Sequence, residues 1–163
     1  HESFDVARAS RIILSNFRFR LWGLDDLIFE TNQAISYDTL SDLINYLVSS
    51  YADAIGSPEK KIWIDHTPDN LKYGASLRQI FPRAKFIHLI RDGRAIAASM
   101  LNLDWGSKNV IFTARWWLES ISFGLALESV WDEDKIFRVH YEGLVNNPIS
   151  SIKKICDFLN ISF

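Results

Sequence analysis

Cysteine is close to absent from this chain. Cys156 stands alone among 163 residues, which excludes an internal disulfide and any zinc cage built on thiolates. Methionine is as scarce, with Met100 alone. Because the chain opens on His1, further residues upstream are expected. Long apolar runs are missing: none approaches the run of about 20 residues that a membrane-crossing helix needs. No basic start followed by an apolar core marks a secretory signal. An excess of one charge is missing too. Eighteen basic residues stand against 20 acidic ones, a formal charge of −2, so a surface that coats nucleic acid is excluded while a local basic pocket is not. The sequence shows no internal repeat, no low-complexity tract and no His/Asp/Glu cluster at ligand spacing, so no metal is implied.

What is present reads as a soluble globular chain. Hydrophobic residues make up 48% and charged residues 23%, both ordinary values. Aromatics are rich at 13%, with six tryptophans. The length fits one domain on the usual scale of about 100–200 residues, and such a chain buries about two-thirds of its unfolded surface without a metal or disulfide. Residues 1–163 are therefore expected to form a single domain.

In the first thirty residues Arg8, Arg11, Arg18 and Arg20 alternate with apolar groups, as helix and turn. Residues 37–55 read as a helix capped by Asp38 or Ser36, with Leu40, Leu43, Ile44, Leu47, Val48, Tyr51 and Ile55 at helical spacing and Gly56-Ser57-Pro58 as its stop. Three short β-rich runs, Lys61–Asp65, Lys85–Ile90 and Lys135–His140, each lead through a polar turn into a helical pattern. The helices expected after them are Asn70–Phe81, Gly93–Asn102 and Pro148–Leu159, with a further long one at about Lys108–Trp131. Cys156 falls on the apolar stripe of the last. Alternating strands and helices imply an α/β fold with a mostly parallel sheet, and ligands in such sheets bind beyond the carboxyl ends of the strands.

Three junctions therefore carry the chemistry: Asp65-His66-Thr67-Pro68, Arg91-Asp92-Gly93-Arg94 and His140-Tyr141-Glu142-Gly143. At the second, Gly93 is expected to permit a tight turn into a helix whose free amides attract an anion. Arg91 would add a guanidinium fork to a phosphate, and Ser99 lies seven residues beyond Asp92 on the same helical face. The competing reading makes Arg91 and Asp92 a surface pair. His88, inside an apolar strand, is expected to be a satisfied core histidine, and His140 to pack. Trp105, Trp116, Trp117 and Trp131 are expected in the core or lining an acceptor pocket. Arg94 is either a phosphate neighbour or simply exposed.

The stretch from Phe81 to Ser99, with Arg91-Asp92-Gly93-Arg94-Ala95 and its arginine-to-serine spacing of eight, resembles the 3′-phosphate-binding segment of sulfotransferases. These enzymes use 3′-phosphoadenosine 5′-phosphosulfate as donor. The run from Val139 to Pro148, with Tyr141-Glu142-Gly143-Leu144, is similar to the family's Tyr-Glu-Asp-Leu segment. The wording is nearest to the tyrosylprotein and bacterial branches, and the likeness runs from about Trp63 to the end.

The resemblance implies a P-loop-NTPase-like three-layer sandwich with a mostly parallel central sheet flanked by helices. It implies that Arg91 and Ser99 bind the 3′-phosphate and that Tyr141 lies against the adenine side. His66, two residues before Pro68, matches the catalytic histidine of the cytosolic branch. An imidazole with an unperturbed pKa of about 6.5 suits proton removal from a hydroxyl at neutral pH. Glu2, in Glu2-Ser3-Phe4, matches the acidic stretch whose glutamate is the base in the tyrosylprotein branch.

The family's glycine-rich Pro-Arg-Ser-Gly-Thr-Thr-like phosphosulfate loop is not among these residues and is expected upstream of His1. A closing C-terminal segment is not among them either. The implied reaction is sulfuryl transfer to a hydroxyl or amine of a small-molecule, carbohydrate or peptide acceptor, with no nucleic acid as partner. The alternatives are a nucleotide-binding fragment without catalysis and a nucleotide-dependent kinase, which lacks its Gly-x-x-x-x-Gly-Lys-Ser/Thr loop here. One cysteine suits a reducing cytoplasm, with the Golgi lumen the alternative in a eukaryote. No pattern specifies an oligomeric state.

Overall fold

The computed structural model describes residues 5–24, 37–104 and 106–163. Glu2, Ser36 and Trp105 lie outside the described residues. The chain divides into two compact units, His1–Asp65 and His66–Phe163.

The first unit is helical: α1 (Val6–Ser15), α2 (Phe17–Arg20) and α3 (Leu40–Ala54). Asp5 caps α1 by accepting from the Arg8 amide at 2.9 Å. The cap of α3 is Thr39, not the Asp38 or Ser36 of the sequence reading. Thr39 Oγ1 accepts from the Asp42 amide at 3.2 Å while the Asp42 carboxylate accepts from the Thr39 amide at 3.1 Å. This reciprocal box satisfies two amides at once. After Ala54 and the cap residue Ile55, Gly56 takes φ +72°, the left-handed turn that ends the helix. The helical periodicity delivers Leu43 and Leu47 to a core shared with Phe19 and Leu24. Phe19, Trp22 and Tyr51 continue it as a chain of tilted ring contacts with centroids 5.5 and 5.0 Å apart.

Lys61–Asp65 forms no strand, contrary to the sequence reading. A strand exists only where a neighbour completes its ladder, and among the described residues none pairs with this run. Ile62, Trp63 and Ile64 are exposed; β-rich composition alone leaves them outside any sheet.

The second unit opens with a 3-10 turn at Pro68–Asn70 and α4 (Gly74–Ile80), where one longer helix was expected. Then follow β1 (Phe86–Ile90), α5 (Gly93–Leu101), α6 (Val110–Val130), β2 (Ile136–His140), α7 (Tyr141–Asn146) and α8 (Pro148–Leu159). The two strands pair in parallel, from Phe86 opposite Ile136 to Ile90 opposite His140. This is the α/β arrangement expected, with α5 and α6 forming the crossover between parallel neighbours. Pro148 starts α8 at a position where its missing N–H costs nothing, and Asn160 ends it at φ 58°. Cys156 is buried on α8 as expected.

The core of this unit contains a polar knot. His88, 1% exposed on β1, bonds through Nδ1 to Glu128 Oε1 of α6 at 2.7 Å. Arg138 of β2 donates Nε to the same carboxylate, at 3.0 Å to Oε2. Burial pushes the Glu128 carboxyl upward, and the bonds from Arg138 and His88 outweigh it, so its pKa lies below the ordinary value. Gly124, one turn before Glu128, makes room for the imidazole: a Cβ there would stand 2.2 Å from the ring. His88 is thus the satisfied core histidine expected. His140, by contrast, is exposed, because it is the last rung of the ladder and caps α7.

Candidate nucleotide site at the ends of the parallel strands

The register explains why two residues distant in sequence meet. Ile90 and His140 are opposite each other, so the next residues, Arg91 and Tyr141, leave the two strands at the same level. The Arg91 guanidinium lies over the Tyr141 ring, 4.5 Å from its centroid. Stacking on an aromatic face holds a guanidinium without using up its in-plane donors. Among those donors, Arg91 Nε is buried and has no partner among the described residues. A buried donor left unmatched costs about 1–3 kcal/mol, so this atom is a donor without its acceptor among the described residues.

The start of α5 differs from the expectation. Two of the amides at this start already have acceptors within the chain. The Asp92 carboxylate accepts from the Arg94 amide at 2.8 Å, and Glu142 Oε1 accepts from the Asp92 amide at 2.9 Å. Two carboxylates of the chain thus stand at the start of α5, where a helix-bound anion would sit.

Arg91 is not paired with Asp92 either. Asp92 pairs with Arg94, with Nε at 3.0 Å from Oδ1 and Nη2 at 2.5 Å from Oδ2. The Arg94 side chain is otherwise open to solvent. Its side-chain and backbone bonds hold the Asp92 carboxyl at about 2, below the ordinary carboxylate value. The bond from the Asp92 amide, first among several causes, likewise holds the Glu142 pKa below its ordinary value.

Gly93 is not in a left-handed conformation, since only Gly23 and Gly56 have positive φ among the described glycines. Its role is close approach. The Trp117 indole of α6 packs so near that a Cβ on Gly93 would meet it at 2.9 Å. Trp117 Nε1 also donates to the Arg91 carbonyl oxygen at 3.0 Å.

The other candidates are placed as follows. Ser99 is exposed on α5; seven residues beyond Asp92 bring it to within about 20° of the same direction, about 10 Å along the axis. His66 is exposed at the first position of the second unit, just ahead of the 3-10 turn. No hydrogen bond, ion pair or ring contact joins His66 or Ser99 to Arg91 among the described residues. Tyr141 opens α7, where the sequence suggested only a turn. Trp117 and Glu142 are the site residues that sequence reasoning left without a role there. Among the described residues no group of three or more His, Cys, Asp or Glu is placed to hold a metal ion, and no helix is long and apolar enough to cross a membrane.

Comparison with known proteins bears on the same region. The model of the Sulfotransferase family matches residues 11–163. Among curated proteins, the chain is 37% identical over 103 residues to protein-tyrosine sulfotransferase 1 of Danio rerio, covering 58% of this chain and 28% of that protein. It is 28% identical over 144 residues to protein-tyrosine sulfotransferase A of Caenorhabditis elegans, covering 81% and 37%. The chain thus spans well under half the length of either relative. Among solved structures, the sulfotransferase domain from the curacin biosynthetic pathway superposes with a TM-score of 0.61 at 20% identity, covering 96% of this chain and 55% of that one. That likeness shows the fold, an α/β architecture with a parallel sheet.

Proposed function

This chain belongs to the sulfotransferase family, and from that premise we propose that it carries the 3′-phosphate-binding half of an enzyme that moves a sulfuryl group from 3′-phosphoadenosine 5′-phosphosulfate to an acceptor hydroxyl. Residues 1–163 are read as part of one sulfotransferase domain, because the family match runs across both compact units. The observation that carries the reading is the Arg91 guanidinium laid on Tyr141 with its Nε buried and unmatched. In this reading Arg91 and the Ser99 hydroxyl hold the 3′-phosphate. One face of Tyr141 is taken by Arg91, so its adenine contact falls to the other face or edge.

Transfer forms a bond from the acceptor oxygen to sulfur and breaks the bond from sulfur to the bridging oxygen, releasing 3′-phosphoadenosine 5′-phosphate. The acceptor proton goes to His66, whose exposed imidazole is open to an incoming hydroxyl; Glu2 is the second candidate base. Names of the relatives, protein-tyrosine sulfotransferases, support a peptide or protein hydroxyl ahead of a carbohydrate or small molecule.

The test is calorimetric titration of the intact protein with 3′-phosphoadenosine 5′-phosphate beside adenosine 5′-phosphate. The expected result is a preference for the 3′-phosphorylated nucleotide that Arg91→Ala reduces about tenfold or more, since a bond to a charged group is worth about 1.5–3 kcal/mol. Equal affinity for the two nucleotides in the unaltered protein overturns the reading.

A further inference from the structure

The peptide unit between Arg91 and Asp92 is held at both of its polar atoms by side chains from other elements. Its carbonyl oxygen accepts from Trp117 Nε1 of α6 at 3.0 Å. Its N–H donates to Glu142 Oε1 of α7 at 2.9 Å. A rotation of this peptide plane would turn the carbonyl oxygen toward the Glu142 carboxylate and lose both bonds. This peptide is joined directly to the Cα that carries the Arg91 side chain, so fixing it limits the movement of that Cα and of the turn into α5. The neighbour of Glu142, Tyr141, supports the other end of that side chain by stacking. Gly93 completes the arrangement, since only a residue without a Cβ lets the indole lie this close to the turn.

We infer that Trp117 and Glu142 are positioning residues for nucleotide selection: by clamping the Arg91–Asp92 peptide they aim the guanidinium at the 3′-phosphate. The inference rests on the nucleotide reading above. It assigns the selectivity for a 3′-phosphate to a pair of groups that touch no ligand, and it separates that role from general support of the fold.

Titration of the intact protein and its variants with the same two nucleotides tests it. Trp117→Phe removes the N–H donor together with part of the indole that packs on Gly93, so the cost of lost packing is read from the loss common to both nucleotides. Glu142→Ala deletes the acceptor on the other side of the same peptide, and Glu142→Gln restores an oxygen acceptor without the charge. The expected result is that Trp117→Phe and Glu142→Ala each weaken 3′-phosphoadenosine 5′-phosphate about three- to tenfold, the span of one ordinary hydrogen bond. Adenosine 5′-phosphate binding is expected to stay within about twofold, and Glu142→Gln to recover most of what Glu142→Ala loses.

Hydrogen exchange of the Asp92 amide gives a readout without ligand: fast in Glu142→Ala, slow in the unaltered protein and in Glu142→Gln. Unchanged preference in both deletion variants overturns the inference and leaves the nucleotide reading intact. An equal loss for both nucleotides also overturns it, by showing general structural damage. No preference in the unaltered protein overturns the nucleotide reading and this inference together.

Discussion

An arginine at a strand end is useful only if something orients it and nothing neutralises it. Tyr141 takes the flat face of Arg91, Asp92 is paired with Arg94, and the Glu142 carboxylate, which feels the Arg91 charge, is bonded to the Asp92 amide. Asp92 gives a pH prediction. Its folded pKa, about 2, lies below its ordinary value near 3.8. Its bonds to the start of α5 are therefore complete above about pH 4 and are lost as pH falls through about 2. Carboxyl-carbon NMR titration is expected to show this midpoint, and Arg94→Ala is expected to move it upward. For His66, the expected outcome of His66→Ala is a fall in turnover of about 10²–10⁴-fold with nucleotide affinity unchanged; full turnover would remove its assigned role. At this scale the two junctions that bring Arg91 and Tyr141 together were legible, because each is a contiguous motif after a strand. Trp117 and Glu142 were not: their partners lie 26 and 50 residues away in sequence, and only tertiary packing brings them together.

Among the elements, those with strong local signals were read closely. α8 spans the expected residues, and α5, α6, β1 and β2 differ from expectation by a few residues at most. The misreadings have a common cause, in that local pattern does not report partners. Lys61–Asp65 has strand composition without a ladder, and the α3 cap turned on the reciprocal bond of Asp42 rather than on Asp38. Thr39→Ala is expected to destabilise the first unit by about 0.5–2 kcal/mol, measured as a lower urea midpoint with unchanged slope. The packing of α6 on β1 gives a second test. Gly124→Ala drives a methyl into the His88 ring, an overpacking worth about 1–3 kcal/mol. Adding His88→Ala to Gly124→Ala is expected to recover part of the loss in Tm; additivity of the two single effects would show that they do not share this space.

For the whole molecule, a site formed where two strands end ties ligand binding to folding of the second unit. The 3′-phosphorylated nucleotide is expected to raise the Tm of the intact protein, by a margin equivalent to about 2.7 kcal/mol at a hundredfold excess over Kd. Adenosine 5′-phosphate at the same concentration is expected to raise it less. The class of fold was readable from the alternation of elements. The division into two compact units was not, because it depends on which distant segments pack together and leaves no mark in composition.

The parallel register of β1 and β2 also sets the molecule's tolerance of length change. The crossover through α5 and α6 joins two strands whose alignment is set by their own ladder, from Phe86 opposite Ile136 to Ile90 opposite His140. Residues added to the loop between α5 and α6 leave the ends of the strands level. One residue added inside either strand moves its exit by about 3.3 Å and turns the next side chain to the opposite face. The guanidinium would then part from its ring even though every residue of both motifs was still present. In such a frame the strands count residues and the loops do not.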